Sequence, residues 1–373
     1  MLALAALSAR ALAEAAVRDG VPVVALDVFG DADTQNLALE WHDIGEHGAL
    51  RIDAQRLLDT LAQLARRGDV RGWIAGSGFE GRTELLEQAA ARLPLLGTAA
   101  VDVRRVRDPQ AFFRELDLHG IGFPPIAFEP PADPRGWLRK DAGGCGGWQV
   151  RRASVADAGG PGIYWQRERR GEAMSATFVA NGRDAVLLGV NRQGSRPFGD
   201  RPYVFTRIAG PVAVSEVVRR ELGAIARLLA GAFHVRGLAS LDVLLEGERI
   251  EVLELNPRPP ASLALYPRLG DGGVLAAHLR ACEHDALPLP PAGATPVRGL
   301  EIVFASRSIE IDGARATAFA SLPGACDLPR AGTRVAAGDP LCSVVAEGAD
   351  EARMNEQLDA RRAAVQALLE TSP

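Results

Sequence analysis

Hydrophobic and polar positions follow two different periods along the chain, and the change of period divides it. Over residues 1–95, apolar residues recur at helical spacing near Ser8–Asp19, Asp53–Arg67 and Arg82–Arg92, with short apolar runs in "VPVVALDVFG" and "RGWIAGSGFE" between them. Alternation of such runs with helices predicts a small open α/β unit. After "LLGTAAVDVRRVRDPQAFFRELDLHGIGFPP", read as strand, loop and helix ending at Pro124 and Pro125, the pattern turns to long strands and hairpins. Residues 136–150 read as strand, glycine-rich loop and strand. Trp165–Glu168 is a further strand end, and "GEAMSATFVANGRDAVLLGVNRQ" is a hairpin turning at Asn181 and Gly182. A long helix over Ser215–Phe233 precedes a second hairpin. A Pro-rich linker at Leu287–Pro296 leads to short strands and a closing helix over Asp350–Leu369. The expected division is an α/β domain over 1–95, a central domain over 96–290, and a C-terminal β module with its helix over 291–373.

The second hairpin raises a question of charge. Period-2 reading of "LDVLLEGERIEVLELNPRPP" gives strands Leu238–Leu245 and Ile250–Asn256 around Gly247. With the turn centred on Glu248, Asp242 falls opposite Glu254 and Leu244 opposite Val252, and Asn256 follows Glu254 on one face. Like charges that face each other across a sheet repel, and burying them costs more. Such a pair implies a shared proton or a cation between the carboxylates. Oxygen ligands alone point to Mg2+ or Mn2+. The competing reading is an edge hairpin with both carboxylates in water, and the apolar residues Leu241, Val243, Leu253 and Leu255 on the other face argue against it.

Composition narrows the field. The chain has 373 residues, 47% of them hydrophobic and 24% charged, with a net charge of -5. That is globular composition, with no electrostatic case for nucleic acid. No uninterrupted apolar run reaches membrane-spanning length, and the first residues lack a basic segment, so a cytoplasmic protein is expected. Cys145, Cys282, Cys326 and Cys342 form no metal or disulfide pattern and are expected as free thiols. Of 42 basic residues only Lys140 is lysine. A compact ammonium differs from a planar guanidinium fork, so this position is singled out.

Lys140 precedes Gly143, Gly144, Gly146 and Gly147, the reverse of a P-loop. Glycines in a hairpin loop let N–H groups approach oxyanions, and the lysine adds charge to the same phosphates. A purely structural glycine turn remains the alternative. "GSGFEG" at 76–81 reads as a tight turn or a phosphate contact, and "DVFGDADTQ" as a second ligand-facing loop. Arg258, after the hairpin, and Arg192, in "GVNRQ", could bind a phosphate or a carboxylate bidentately, or else belong to surface ion pairs.

Lys140 with its glycine loop, followed by Asp242 and then Glu254, Asn256 and Arg258 in "LELNPR", resembles the ATP-grasp superfamily, and the resemblance covers most of the chain. It implies a mixed α/β and α+β architecture: an ATP-grasp fold with an N-terminal Rossmann-like pre-ATP-grasp domain and a small C-terminal β module. It implies ATP and Mg2+ or Mn2+ as cofactors, with metal on Asp242, Glu254 and Asn256. The nucleotide would lie on Lys140, the four glycines, Gln166, Arg167 and Glu168. Glu172 would stand near the ribose, because Ala173 occupies the position where the family often keeps an acid. Arg105 or Arg107 stands where a second phosphate lysine is usual. The activity implied is an ADP-forming carboxylate-amine ligase with small-molecule substrates, and a homodimer is left open. A narrower likeness, in "ALDVFGDADT", "GSGFEG" and the C-terminal module, is to an ATP-grasp group associated with tetrahydromethanopterin or methylofuran synthesis. The rival readings are a biotin-carboxylase-like enzyme using bicarbonate, for which the chain is short, and a non-catalytic ATP-binding regulator, against which the full acidic set argues.

Overall fold

The computed structural model describes residues 1–46, 49–270, 272–290 and 295–370. Residues 291–294 of the expected linker lie outside them. Four parallel strands open the chain, in the spatial order Glu40–Asp43, Val23–Asp27, Leu2–Ala5, Trp73–Ala75. Leu2, Leu4, Val24 and Leu26 are fully buried, which is why these strands read as continuous apolar runs rather than alternating ones. The helix Ala54–Arg67 begins where the Asp53 carboxylate accepts from the Arg56 N–H and ends at Gly68 in the left-handed conformation.

An eight-stranded antiparallel sheet forms the centre. Its order is Arg249–Asn256, Arg236–Glu246, Glu172–Asn181, Ala185–Phe198, Arg201–Gly210, Val297–Phe304, Pro340–Gly348, Ala325–Cys326. The C-terminal strands thus extend the central sheet. The sequence shows strands there but carries no mark of their partner, because pairing at such separation leaves no local signature.

Alternation along the strands sorts side chains to two faces. Met174, Ala176, Phe178 and Ala180 pack with Leu222, Ile225 and Leu229 of the helix Glu216–Ala232. Val179 and Leu238 face the opposite way, against Leu275 and Leu279 of the helix Val274–His284. The closing helix Glu351–Glu370 buries Met354, Leu358, Val365 and Leu369 against Val303, Leu341 and Val344. A separate four-stranded antiparallel sheet, ordered Ile126–Ala127, Ile163–Arg167, Trp137–Asp141, Arg151–Arg152, carries Lys140 and Gln166. The four cysteines are free. No helix among the described residues is long and apolar enough to cross a membrane.

His278 links the central sheet to the segment after the N-terminal strands. Its Nδ1 accepts from the Leu238 N–H at 2.8 Å, and its Nε2 lies 3.0 Å from the Leu96 carbonyl, to which it donates. The ring is fully buried, and burial pushes its pKa down to about 4. Protonating Nδ1 would set two N–H groups against each other. A folded pKa below the unfolded value means stability is lost as pH falls from about 6.5 toward 4, by roughly 3 kcal/mol in full. Urea unfolding of wild type and His278→Phe between pH 7 and 4 is expected to show this acid-side loss in wild type only. An equal slope in the variant would remove His278 as its source.

Candidate active site

Asp242 and Glu254 face each other, but not for the reason that regular alternation suggests. The hairpin turns at Gly247 and Glu248, with Glu246 opposite Arg249 and Leu244 opposite Glu251. A bulge between Asp242 and Val243 restores Asp242 opposite Glu254. The expected pairing of Leu244 with Val252 is therefore wrong, and Val252 pairs with Val243. The extra residue matters for direction. Ile250 and Val252 point into the core under the helix Glu216–Ala232, and in an unbroken strand Glu254 and Asn256 would follow them there. The bulge instead sends Leu255 into that core, while Leu253, Glu254 and Asn256 join Ser240, Asp242 and Leu244 on the wall of a cavity of about 740 Å3.

At this wall the Asn256 Nδ2 donates to Asp242 Oδ2 at 3.1 Å and to Glu254 Oε1 at 3.2 Å, and Gln193 Nε2 donates to Asp242 Oδ1 at 3.1 Å. Burial, and then the charge of Glu254, raise the pKa of Asp242 to about 8. Burial acts on Glu254 in the same sense, but the charges of Arg107 and Lys140 overcome it and hold Glu254 below its ordinary value. No cluster of three His, Cys, Asp or Glu occurs among the described residues. The donor set is two carboxylates and one amide, all hard oxygen ligands, and it fits Mg2+ or Mn2+ in place of the proton on Asp242.

Lys140 reaches the same cavity from the small sheet. Its Nζ donates to Gln166 Oε1 at 2.6 Å. Burial lowers the Lys140 pKa, against the pull of Glu254 and Asp242. Gln166 is 1% exposed and its Nε2 has no partner among the described residues, so a buried donor stands beside the ammonium. Arg167 and Glu168 also line the cavity. Arg167 Nη1 donates to the Arg135 carbonyl, and Glu168 pairs with Arg152 at 2.8 Å. Of the glycines, Gly144, Gly146 and Gly147 line the cavity. Gly147 has φ +76° against the Tyr203 carbonyl, where any Cβ would collide. Gly143 lies off the cavity wall, in backbone contact with Gly81 of the "GSGFEG" loop.

That loop does more than turn. Gly76 and Ser77 line the cavity, while Glu80, 5% exposed, accepts from the Gly78 N–H and pairs with Arg258 Nε at 2.6 Å. Burial disfavours charge on Arg258, and Glu80 more than offsets it. Sequence reasoning passed over Glu80, although an acid in a loop beyond a strand's C-terminal end was the available signal. From "DVFGDADTQ", Phe29 and Asp31 also reach the cavity. Two further expected site residues lie elsewhere. Arg192 pairs with Glu172 and, at 2.9 Å, with Glu351 at the start of the closing helix, and neither Arg192 nor Glu172 lines the cavity. Glu172 begins one long strand and Arg192 lies midway along the next, where period-2 reading gives a face but not the distance to a pocket. Of the two arginines near the helix Pro109–Leu118, Arg105 lies over Phe233 and near Asp102, whereas Arg107 lines the cavity beside Asn256.

Comparison with known proteins bears on the fold. Residues 106–262 match the model of the ATP-grasp domain. No curated protein sequence matches the chain. N5-carboxyaminoimidazole ribonucleotide synthetase of Thermus thermophilus superposes with a TM-score of 0.68 at 16% identity, over 100% of this chain and 99% of that one. Biotin carboxylase of Campylobacter jejuni gives 0.72 at 13%, over 99% and 95%. The L-amino acid ligase of Bacillus licheniformis gives 0.69 at 14%, over 97% of each. The chain has the ATP-grasp fold and carries an ATP-grasp domain.

Asp242→Asn isolates the facing pair. A carboxylate whose folded pKa is raised to about 8 costs stability progressively as pH rises from about 4, where the unfolded chain ionises, to about 8. The variant is expected to unfold at the same temperature as wild type near pH 4 and at a higher one by pH 8, without turning over substrate. A thermal midpoint at or below that of wild type at pH 8 would refute the pairing.

Proposed function

We propose that the chain is an ATP-dependent ligase: a carboxylate oxygen attacks the γ-phosphorus of ATP, ADP leaves, and an amine then displaces orthophosphate from the acyl phosphate to form an amide. The observation that supports this is the convergence of Lys140, Asp242, Glu254, Asn256 and Arg258 on one cavity. Charge is gathered there for a triphosphate terminus, and phosphoryl transfer depends on positioning and charge neutralisation.

In this reading Gln166, Arg167 and Glu168 hold the base, with the Gln166 Nε2 free to donate to a ring nitrogen. Lys140 and the N–H groups of Gly144, Gly146 and Gly147 hold phosphate oxygens. Mg2+ or Mn2+, held by Asp242, Glu254 and Asn256, would neutralise charge on the terminal phosphates. Arg258, fixed through Nε by Glu80, presents the remainder of its guanidinium to the substrate carboxylate or the acyl phosphate. The cavity continues past Arg258 to Leu7, Leu12, Phe29 and Leu341, which gives room for the acid and the amine. The cytoplasm supplies ATP. The narrower assignment to tetrahydromethanopterin or methylofuran synthesis is supported by the likeness of "ALDVFGDADT", "GSGFEG" and the C-terminal strands alone.

Incubation with ATP, Mg2+, hydroxylamine and a panel of acids that includes bicarbonate tests the reaction. The expected products are ADP, orthophosphate and, with the correct organic acid, an acyl hydroxamate, because an acyl phosphate is electrophilic enough to be intercepted. Stoichiometric AMP and pyrophosphate would overturn the mechanism.

A further inference from the structure

Arg107 occupies a position that the metal reading leaves unexplained. Its backbone is fixed between the helix Ala100–Val106 and Asp108, whose carboxylate accepts from the Gln110 and Ala111 N–H groups to begin the next helix. From there its Nη2 donates to Asn256 Oδ1 at 2.8 Å, and its Nη1 lies 3.8 Å from Glu254 Oε2 and 3.5 Å from the Ala142 carbonyl. The side chain is 9% exposed, and Nε is buried without a partner among the described residues.

The guanidinium therefore rests on two of the three groups that make up the cation site. A buried donor without an acceptor is costly, and beside a cavity that gathers cations the acceptor it suits is an anionic oxygen. A divalent ion on Glu254 and Asn256 and a guanidinium on the same two groups repel each other at contact distance.

We propose that Arg107 stands in for the divalent cation on Asn256 and Glu254, and that it passes to the triphosphate when the cation takes those ligands. Cation and nucleotide are then coupled through one side chain: ATP draws the guanidinium away and frees the ligands, and the cation in turn releases the guanidinium to ATP. By linkage each raises the affinity for the other by the same factor. This rests on the ligase reading above and goes beyond it, because a cation site with no internal competitor would show no such coupling through Arg107.

The test is Mn2+ binding to the full chain, measured by the free-ion electron paramagnetic resonance signal, with and without ATP. Wild type is compared with Arg107→Ala and with Arg107→Gln, which is neutral but keeps an N–H donor. Circular dichroism melts confirm that both variants are folded. Without nucleotide, Mn2+ is expected to bind both variants about tenfold more tightly than wild type, and the enhancement by ATP to shrink by a similar factor. ATP binding in EDTA is expected to weaken in both. Unchanged or weaker nucleotide-free Mn2+ binding in the folded variants, or an ATP enhancement as large in the variants as in wild type, would overturn the proposal. Failure of the ligase reading is separately visible: wild type would then bind no Mn2+ even with ATP, or Glu254→Gln would bind it as well as wild type.

Discussion

Two carboxylates set face to face across a hairpin, at the wall of a cavity, are the constraint around which the site is arranged. A regular strand would have sent Glu254 and Asn256 into the apolar core beside Val252. One bulged residue turns them to the side that Asp242 already faces. The repulsion so created is then managed by surrounding groups. Arg107 and Lys140 hold Glu254 ionised, burial keeps the proton on Asp242, and the Asn256 amide bridges the two. Such an arrangement gains little for folding, because like charges set opposite each other on a sheet cost stability. In the proposed reading its value lies in a ready site for a cation and for the phosphates that the cation accompanies.

The cations around this pair come from different parts of the chain. Lys140 lies on the small sheet, Arg107 at the junction of two helices, and Arg258 just beyond the hairpin that carries Asp242 and Glu254, tied to Glu80 of the N-terminal unit. Gly81 meets Gly143 at backbone distance, so the same N-terminal loop that fixes Arg258 also abuts the glycine loop. Separate units are thus brought to one cavity by a few close contacts rather than by a single motif.

Much of this was legible in the sequence. Apolar alternation marked the strands and the two hairpins, and polar residues at positions where alternation demanded hydrocarbon marked Asp242, Glu254 and Asn256. The rarity of lysine marked Lys140. What was not legible depended on distance. A bulge shifts register by one residue without a local sign, so the partner of Leu244 was misread. The pairing of Glu80 with Arg258 spans 178 positions. Arg192 reads as an active-site residue from its place after a strand, yet its partners Glu172 and Glu351 come from another strand and from the closing helix. Extension of the central sheet by Val297–Phe304 and Pro340–Gly348 was hidden for the same reason.

The central claim is that the facing carboxylates hold a divalent cation against the terminal phosphates of ATP. Paramagnetic relaxation of the 31P resonances of ATP by bound Mn2+ measures this most directly, because the effect falls steeply with distance from the metal. The account predicts the strongest relaxation at the β- and γ-phosphorus nuclei in wild type, and loss of that protein-dependent effect in Glu254→Gln. Relaxation strongest at the α-phosphorus, or unaltered in Glu254→Gln, would contradict it.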